Sequence, residues 1–126
     1  MLLNKADYRL VKGGGRTKIY LAAWHTGDDL LVYIYNKNIH LGAVAIGEFD
    51  NSTGRTTISI ISRLGHKDDA VAQRVAYAIT KHTKRATCVV AGIHVDAITQ
   101  AEIAEILANG DDLIQEFVLQ KLESEL

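Results

Sequence analysis

The sequence predicts an α+β fold: a single domain with a mostly antiparallel β-sheet of about five to six strands, backed by two to three helices. Three observations predict it. The first half consists of short β-branched, aromatic and aliphatic runs broken by Gly, Asn and Asp turns. After Gly65-His66 the apolar residues change to a 3.6-residue period. Near the C-terminus, Thr99-Gln100-Ala101-Glu102 has the form of a capping box opening a helix. With 126 residues, the chain fits one domain, expected to span 1–126.

The elements follow in order. A short strand precedes Gly13-Gly14-Gly15-Arg16, which reads as a flexible turn. Lys18 to His25 and Leu30 to Tyr35 form a hairpin around Thr26-Gly27-Asp28-Asp29, with Gly27 and Asp28 supplying the turn chemistry. Asn36-Lys37-Asn38 breaks the run. His40 to Phe49 resumes as a strand whose Gly42 and Gly47 mark bulges or close backbone approach. After the polar turn Asp50–Gly54, Thr56 to Ile61 is a further strand. Short connections make these strands antiparallel neighbours by default. Lys67 to His82 places Val71, Val75, Ala78 and Ile79 on one helical face, with Asp68 and Asp69 in its first turn and Lys81, His82, Lys84 and Arg85 at its end, as the helix dipole favours. Thr87 to Val90 is a strand. The capping box then opens a short helix that Asn109-Gly110 ends, and Asp111 or Asp112 caps a last one with Leu113, Phe117 and Leu122 facing inward, joined by Ile114 and Val118.

The bulk chemistry narrows the function. Fourteen basic residues against fifteen acidic ones leave a net charge of −1, without the basic stripe of a dedicated nucleic-acid binder. No apolar run approaches the roughly 20 residues that span a bilayer. The single cysteine, Cys88, excludes an intrachain disulfide framework and fits a reducing compartment, so the cytoplasm is expected. Cys88 sits among Thr87, Val89 and Val90 and reads as a small core residue. Proline is absent, so turns rest on glycine, Asn and Asp.

Three stretches carry chemistry, each with a histidine beside a glycine or a charge: Ile39-His40-Leu41-Gly42, Gly65-His66-Lys67-Asp68-Asp69, and Ala91-Gly92-Ile93-His94-Val95-Asp96. His66 and Lys67 at a helix entrance offer backbone N–H groups, a cation and the positive dipole end to a phosphate or carboxylate. Asp68 and Asp69 oppose that reading and suit ordinary caps. In an extended strand Asp96 lies on the side of His94 and orients its ring. Gly92 permits an unusual backbone angle or a close approach. Tight metal-ligand spacing is missing, so no metal is expected, and no nucleophile elbow or phosphate-binding loop occurs.

In the same three stretches the chain resembles the small D subunit of bacterial gallate decarboxylases. Ala91-Gly92-Ile93-His94-Val95, followed by Ile98-Thr99, Ala101, Ile103 and Asp111-Asp112-Leu113, is similar to that subunit. So are His66-Lys67-Asp68 with Arg74, and His40 with Gly42. The likeness runs from about Leu30 to Phe117. It implies a fold related to proteasome assembly chaperones and a prenylated-flavin chaperone-like role beside a UbiD-type decarboxylase. That role is a non-catalytic accessory one, assisting binding or maturation of prenylated FMN or FMN, or assembly of the complex. The implied cofactor-binding residues are His40, Gly42, His66, Lys67, Asp68, Gly92, His94 and Asp96. No nucleic acid or membrane partner is implied, and a homodimer or higher homo-oligomer is expected. Two other readings stay open: a ligand-free assembly protein, and a small metal-assisted hydrolase or lyase using the histidines.

Overall fold

A computed structural model describes residues 5–65 and 68–125. Strands β1 (Tyr8–Lys12), β2 (Ile19–Thr26), β3 (Asp29–Tyr35), β4 (Ala43–Asp50) and β5 (Arg55–Ser62) precede helix α1 (Asp69–Thr83), strand β6 (Thr87–Gly92) and helix α2 (Gln100–Glu123). The six strands form one sheet in the order β1-β2-β3-β6-β4-β5. The α+β architecture expected from the sequence is thus present.

The default of antiparallel sequential neighbours fails once. β6 inserts between β3 and β4, pairing parallel with β3 and antiparallel with β4. The physical reason lies in patterning. Val89 and Ala91 are fully buried while Cys88 and Val90 are half-buried, as suits a central strand that needs neighbours on both edges. β4 and β5 stay in continuous register from Ala43↔Ser62 to Asp50↔Arg55, so Gly47 marks no bulge. A Cβ there would strike the Thr80 hydroxyl and come 3.1 Å from Ala76 O. Its role is the close approach of α1.

Both helices lie on the same side of the sheet. α1 packs on β4, β5 and β6, and α2 on β1 and β2. Between them Leu21, Val32, Ile34, Val75, Ile79, Val89, Leu113 and Phe117 form the core. Phe117 meets the Tyr8 ring edge-on at 5.0 Å. Leu122, expected inward, is 40% exposed.

The expected break at Asn109-Gly110 is absent, and one helix runs through it. Gly110 is buried, and a Cβ there would meet only Ile19 Cδ1 at 3.9 Å. Asp111 caps nothing; its carboxylate accepts two hydrogen bonds from Arg74, at 2.7 and 2.6 Å, which tie α2 to α1. Tertiary contacts therefore outweigh the roughly 1 kcal/mol helix penalty of one glycine. The Thr99–Glu102 capping box forms as the sequence indicates.

Candidate functional site

The site lies where β3 and β6 end and the chain turns into loops. Because β3 and β6 are parallel, their C-terminal ends release two loops on the same edge: residues 36–42 and residues 93–99. Asn36, only 3% exposed, joins them. Its side-chain amide donates to His94 O (2.8 Å), and its Oδ1 accepts from His94 N (3.3 Å) and Asn38 N (3.0 Å). The Asn38 side chain donates to His94 O as well, at 2.8 Å. The asparagines that break the strand in sequence thus supply the polar pairing that buried loop backbone requires.

Asp68 is the second anchor. It occupies the N-cap position of α1, but its side chain makes no capping bond. Instead, 6% exposed, it faces the loops: Oδ1 accepts from Ile93 N at 3.0 Å, and Oδ2 lies 3.0 Å from His40 Nε2. His40 Nδ1 lies 2.8 Å from Asn38 O. Both ring nitrogens therefore face acceptors. Satisfying both bonds needs a proton on Nδ1 and another shared between Nε2 and the carboxylate. Tyr33 donates to His40 O at 2.8 Å, and burial first, then the nearby Asp68 charge, pushes its phenol above its ordinary range.

The two glycines of the candidate motifs explain how these groups meet. A Cβ on Gly42 would collide with the Asp68 carboxylate, and one on Gly92 with the His40 carbonyl. Neither glycine adopts a positive φ. Both are clearance for protein against protein, and neither lines the cavity described below. His40 also sits outside the strand expected to begin there, because β4 starts at Ala43.

β6 stops at Gly92, so His94 and Asp96 lie in a loop rather than on an extended strand. They still pair, Nε2 to Oδ1 at 2.8 Å, with side chains 60% and 91% exposed. Ala97 in this loop has φ 48°, a left-handed conformation that costs a non-glycine residue about 1 kcal/mol. Arg16 holds the loop in place, donating to Asp96 O at 2.6 Å and to Glu102 at 2.6 and 3.3 Å. The Arg16 guanidinium, and after it the Thr99 N–H, holds the Glu102 carboxyl down at about 2. The turn that reads as flexible in sequence is thus a 3-10 turn, Gly15–Thr17, with a fixed arginine.

These elements enclose a cavity of about 490 Å³. Ala70 and Val71 of α1 form one wall, Ile93, Val95 and Ile98 the loop wall, and Ile103, Ile106 and Leu107 of α2 the third; Gly65, Asp68, His40 and His94 complete the lining. A second, more open depression is bounded by Asn38, His40, His94 and Asp96. The structure therefore brings His40, Asp68, His94 and Asp96 together. His66 and Lys67 lie outside the described residues. Asn36, Tyr33, Arg16 and the apolar walls escape motif reading, and only the helical period at Val71, Ile103 and Ile106 could have signalled the walls. Among the described residues, no group of three or more His, Cys, Asp or Glu converges as a metal cage.

Among the described residues, no helix is long and apolar enough to cross a membrane. In overall shape the chain is similar to a protein in a solved structure described as "Crystal Structure of a Novel Chaperone Complex for Yeast 20S Proteasome Assembly". The TM-score is 0.57 at 16% identity, covering 94% of this chain and 97% of that one, a likeness of fold. In sequence it is 34% identical over 95 residues to "Protein LpdD" of Lactiplantibacillus plantarum, covering 73% of this chain and 68% of the relative. The match to the family described as "Prenylated flavin chaperone LpdD-like domain" covers residues 13–123, starting well before Leu30. With the greater part of its length inside that match, the chain belongs to the prenylated flavin chaperone LpdD-like family.

Proposed function

We propose that this chain is a non-catalytic accessory protein of a UbiD-type, prenylated-FMN-dependent decarboxylase system, and that it holds prenylated FMN or FMN transiently in the cavity between α1, α2 and the 93–99 loop. Family membership supports the chaperone part of this reading. The observation that carries the ligand part is the cavity itself. Its volume of about 490 Å³ falls within the roughly 300–1,000 Å³ of small-molecule sites, which pair apolar walls with a few polar groups. Val71, Ile103 and Ile106 suit a flat ring, while the imidazoles of His40 and His94 give the rim its polar groups.

Among the described lining residues there is no lysine or arginine. In this proposal the phosphate falls to His66 and Lys67, which lie between Gly65 and Asp68 in sequence. Gly42 and Gly92 support the site indirectly, by letting His40 approach Asp68 and β6. When bound, the cofactor would supply its decarboxylation chemistry on the partner enzyme. This chain's part is to bind, orient and shield it. The reading includes a cytoplasmic location, the single domain over 1–126 and pairing into a homo-oligomer.

Calorimetric titration with FMN and prenylated FMN tests it. Saturable binding by the wild type, lost in both His66→Ala and Lys67→Ala, is the expected result. Absence of binding in every form would favour an assembly protein without a ligand.

A further inference from the structure

The sheet has a second face. Both helices cover the side bearing Leu21, Val32, Ala45 and Val89, and no described element lies across the middle of the other side. The pairing register places Ala22, Tyr33, Val90, Val44 and Ile61 in one row across it. Trp24, Leu31, Cys88 and Ile46 form the next row. Ile61 is 71% exposed, Ile46 45% and Leu31 38%. Tyr20 stacks on Tyr35 at 5.2 Å, and Tyr35 meets Tyr33 edge-on at 5.6 Å. Charges on this face stand toward its perimeter: Arg9 on edge strand β1, Lys18 over the Tyr20 ring, Asp29 at the β2–β3 turn, and Glu48, Asp50 and Arg55 toward the far end of β4 and β5. An apolar, tyrosine-rich centre with a charged rim is the anatomy of a protein interface.

We propose that this uncovered sheet face is the self-association surface of the chain, packing against the same face of a second copy as a two-fold sheet-on-sheet sandwich. Strand spacing of ~4.8 Å and a rise of ~3.3 Å per residue give six strands of about seven residues a footprint of roughly 650 Å². Specific interfaces bury about 600–1,000 Å² per partner, so the face suffices for a stable dimer. A flat apolar sheet is covered either by helices or by another sheet about 10 Å away. The chain's two helices are already committed to the opposite side. The face carries no central charge to select a charged partner, whereas a second copy brings a face of equal size and equal polarity in an isologous contact. The dimer rests on different residues from the cavity, and goes beyond the expectation of a homo-oligomer by naming the face.

Sedimentation and light scattering of the full chain from micromolar to about 200 µM test this, with Leu31→Glu and Ile46→Glu alongside. The wild type should have the mass of two chains. Each variant should be monomeric with an unchanged far-UV spectrum, self-association being weakened by at least about a hundredfold because a charge would be buried unpaired. Independently of any variant, the Cys88 thiol should react more slowly with a disulfide reagent at high protein concentration than at low. A wild type that is monomeric throughout overturns the proposal and leaves the face to another protein. A dimer that survives both substitutions overturns it too, placing the contact elsewhere. Flavin titration of the monomeric variants separates the two readings: binding through the cavity should persist, and failure to bind flavin in every form would leave the dimer untouched.

Discussion

Replacing Asp68 separates two roles that the site combines. The carboxylate accepts from the Ile93 N–H and from His40 Nε2, and its side chain is 7% exposed. Asp68→Ala removes both acceptors and leaves the Ile93 N–H without its partner in a half-buried loop. A hydrogen bond to a charged group contributes about 1.5–3 kcal/mol, so two of them predict a loss of roughly 3–6 kcal/mol. Asp68→Asn should behave differently. Its Oδ1 still accepts from Ile93, while its amide can donate to His40 Nε2 once the ring keeps only the Nδ1 proton that Asn38 O requires. The loss should be about 1 kcal/mol. Urea unfolding at fixed protein concentration, followed by Trp24 fluorescence and far-UV circular dichroism, measures both. Equal losses for the two variants, or an alanine variant within 1 kcal/mol of wild type, would refute the assignment of Asp68 as the anchor of the two loops.

Other outcomes follow from the same geometry. Gly92→Ala drives a Cβ into the His40 backbone, 2.8 Å from its N and C atoms, so chemical denaturation should show a loss of about 2–3 kcal/mol. Gly27→Ala, with φ +64° and open space around it, should cost about 1 kcal/mol. Arg16→Ala should return the Glu102 carboxyl from about 2 toward its ordinary 4.5, as an NMR titration would read. Because the folded value is depressed, the contribution of Glu102 is present above about 4.5 and fades as pH falls toward about 2, so this acid-sensitive part of the stability profile should shrink in the variant, the remainder being held by the Thr99 N–H. Val71→Trp fills the cavity from the α1 wall. It should weaken flavin binding at least about tenfold while leaving the thermal midpoint within a few degrees, as calorimetry and a melting curve would show.

Much of this fold is legible in the sequence, because each of its local signals has one dominant cause. Gly27-Asp28 between two β-rich runs makes a hairpin, and Thr99 with Glu102 makes a capping box, whatever the rest of the chain does. The failures share a different cause. Asn109-Gly110-Asp111-Asp112 has the composition of a helix stop, yet Gly110 fits against Ile19 and Asp111 pairs with Arg74. Both contacts come from residues far away in the chain. The insertion of β6 between β3 and β4 is likewise a tertiary event, which short connections cannot foretell. At the site, residue types marked His40, Asp68, His94 and Asp96 as candidates, and the fold brings them within one loop cluster. Asn36 and Arg16 were hidden because an asparagine in a strand break and an arginine after three glycines look like solvated turn residues. Only the parallel ends of β3 and β6, with the start of α2 above them, make the first a buried tether and the second a clamp.

The central claim, that the cavity receives the flavin, is tested most directly by backbone amide NMR of the labelled chain titrated with prenylated FMN. The shifted resonances should cluster at Ala70, Val71, Ile93, His94, Val95 and Ile106, where α1, α2 and the 93–99 loop enclose the cavity. Shifts confined to the uncovered sheet face, at Tyr33, Val44 and Ile46, or no shifts at saturating ligand, would contradict it.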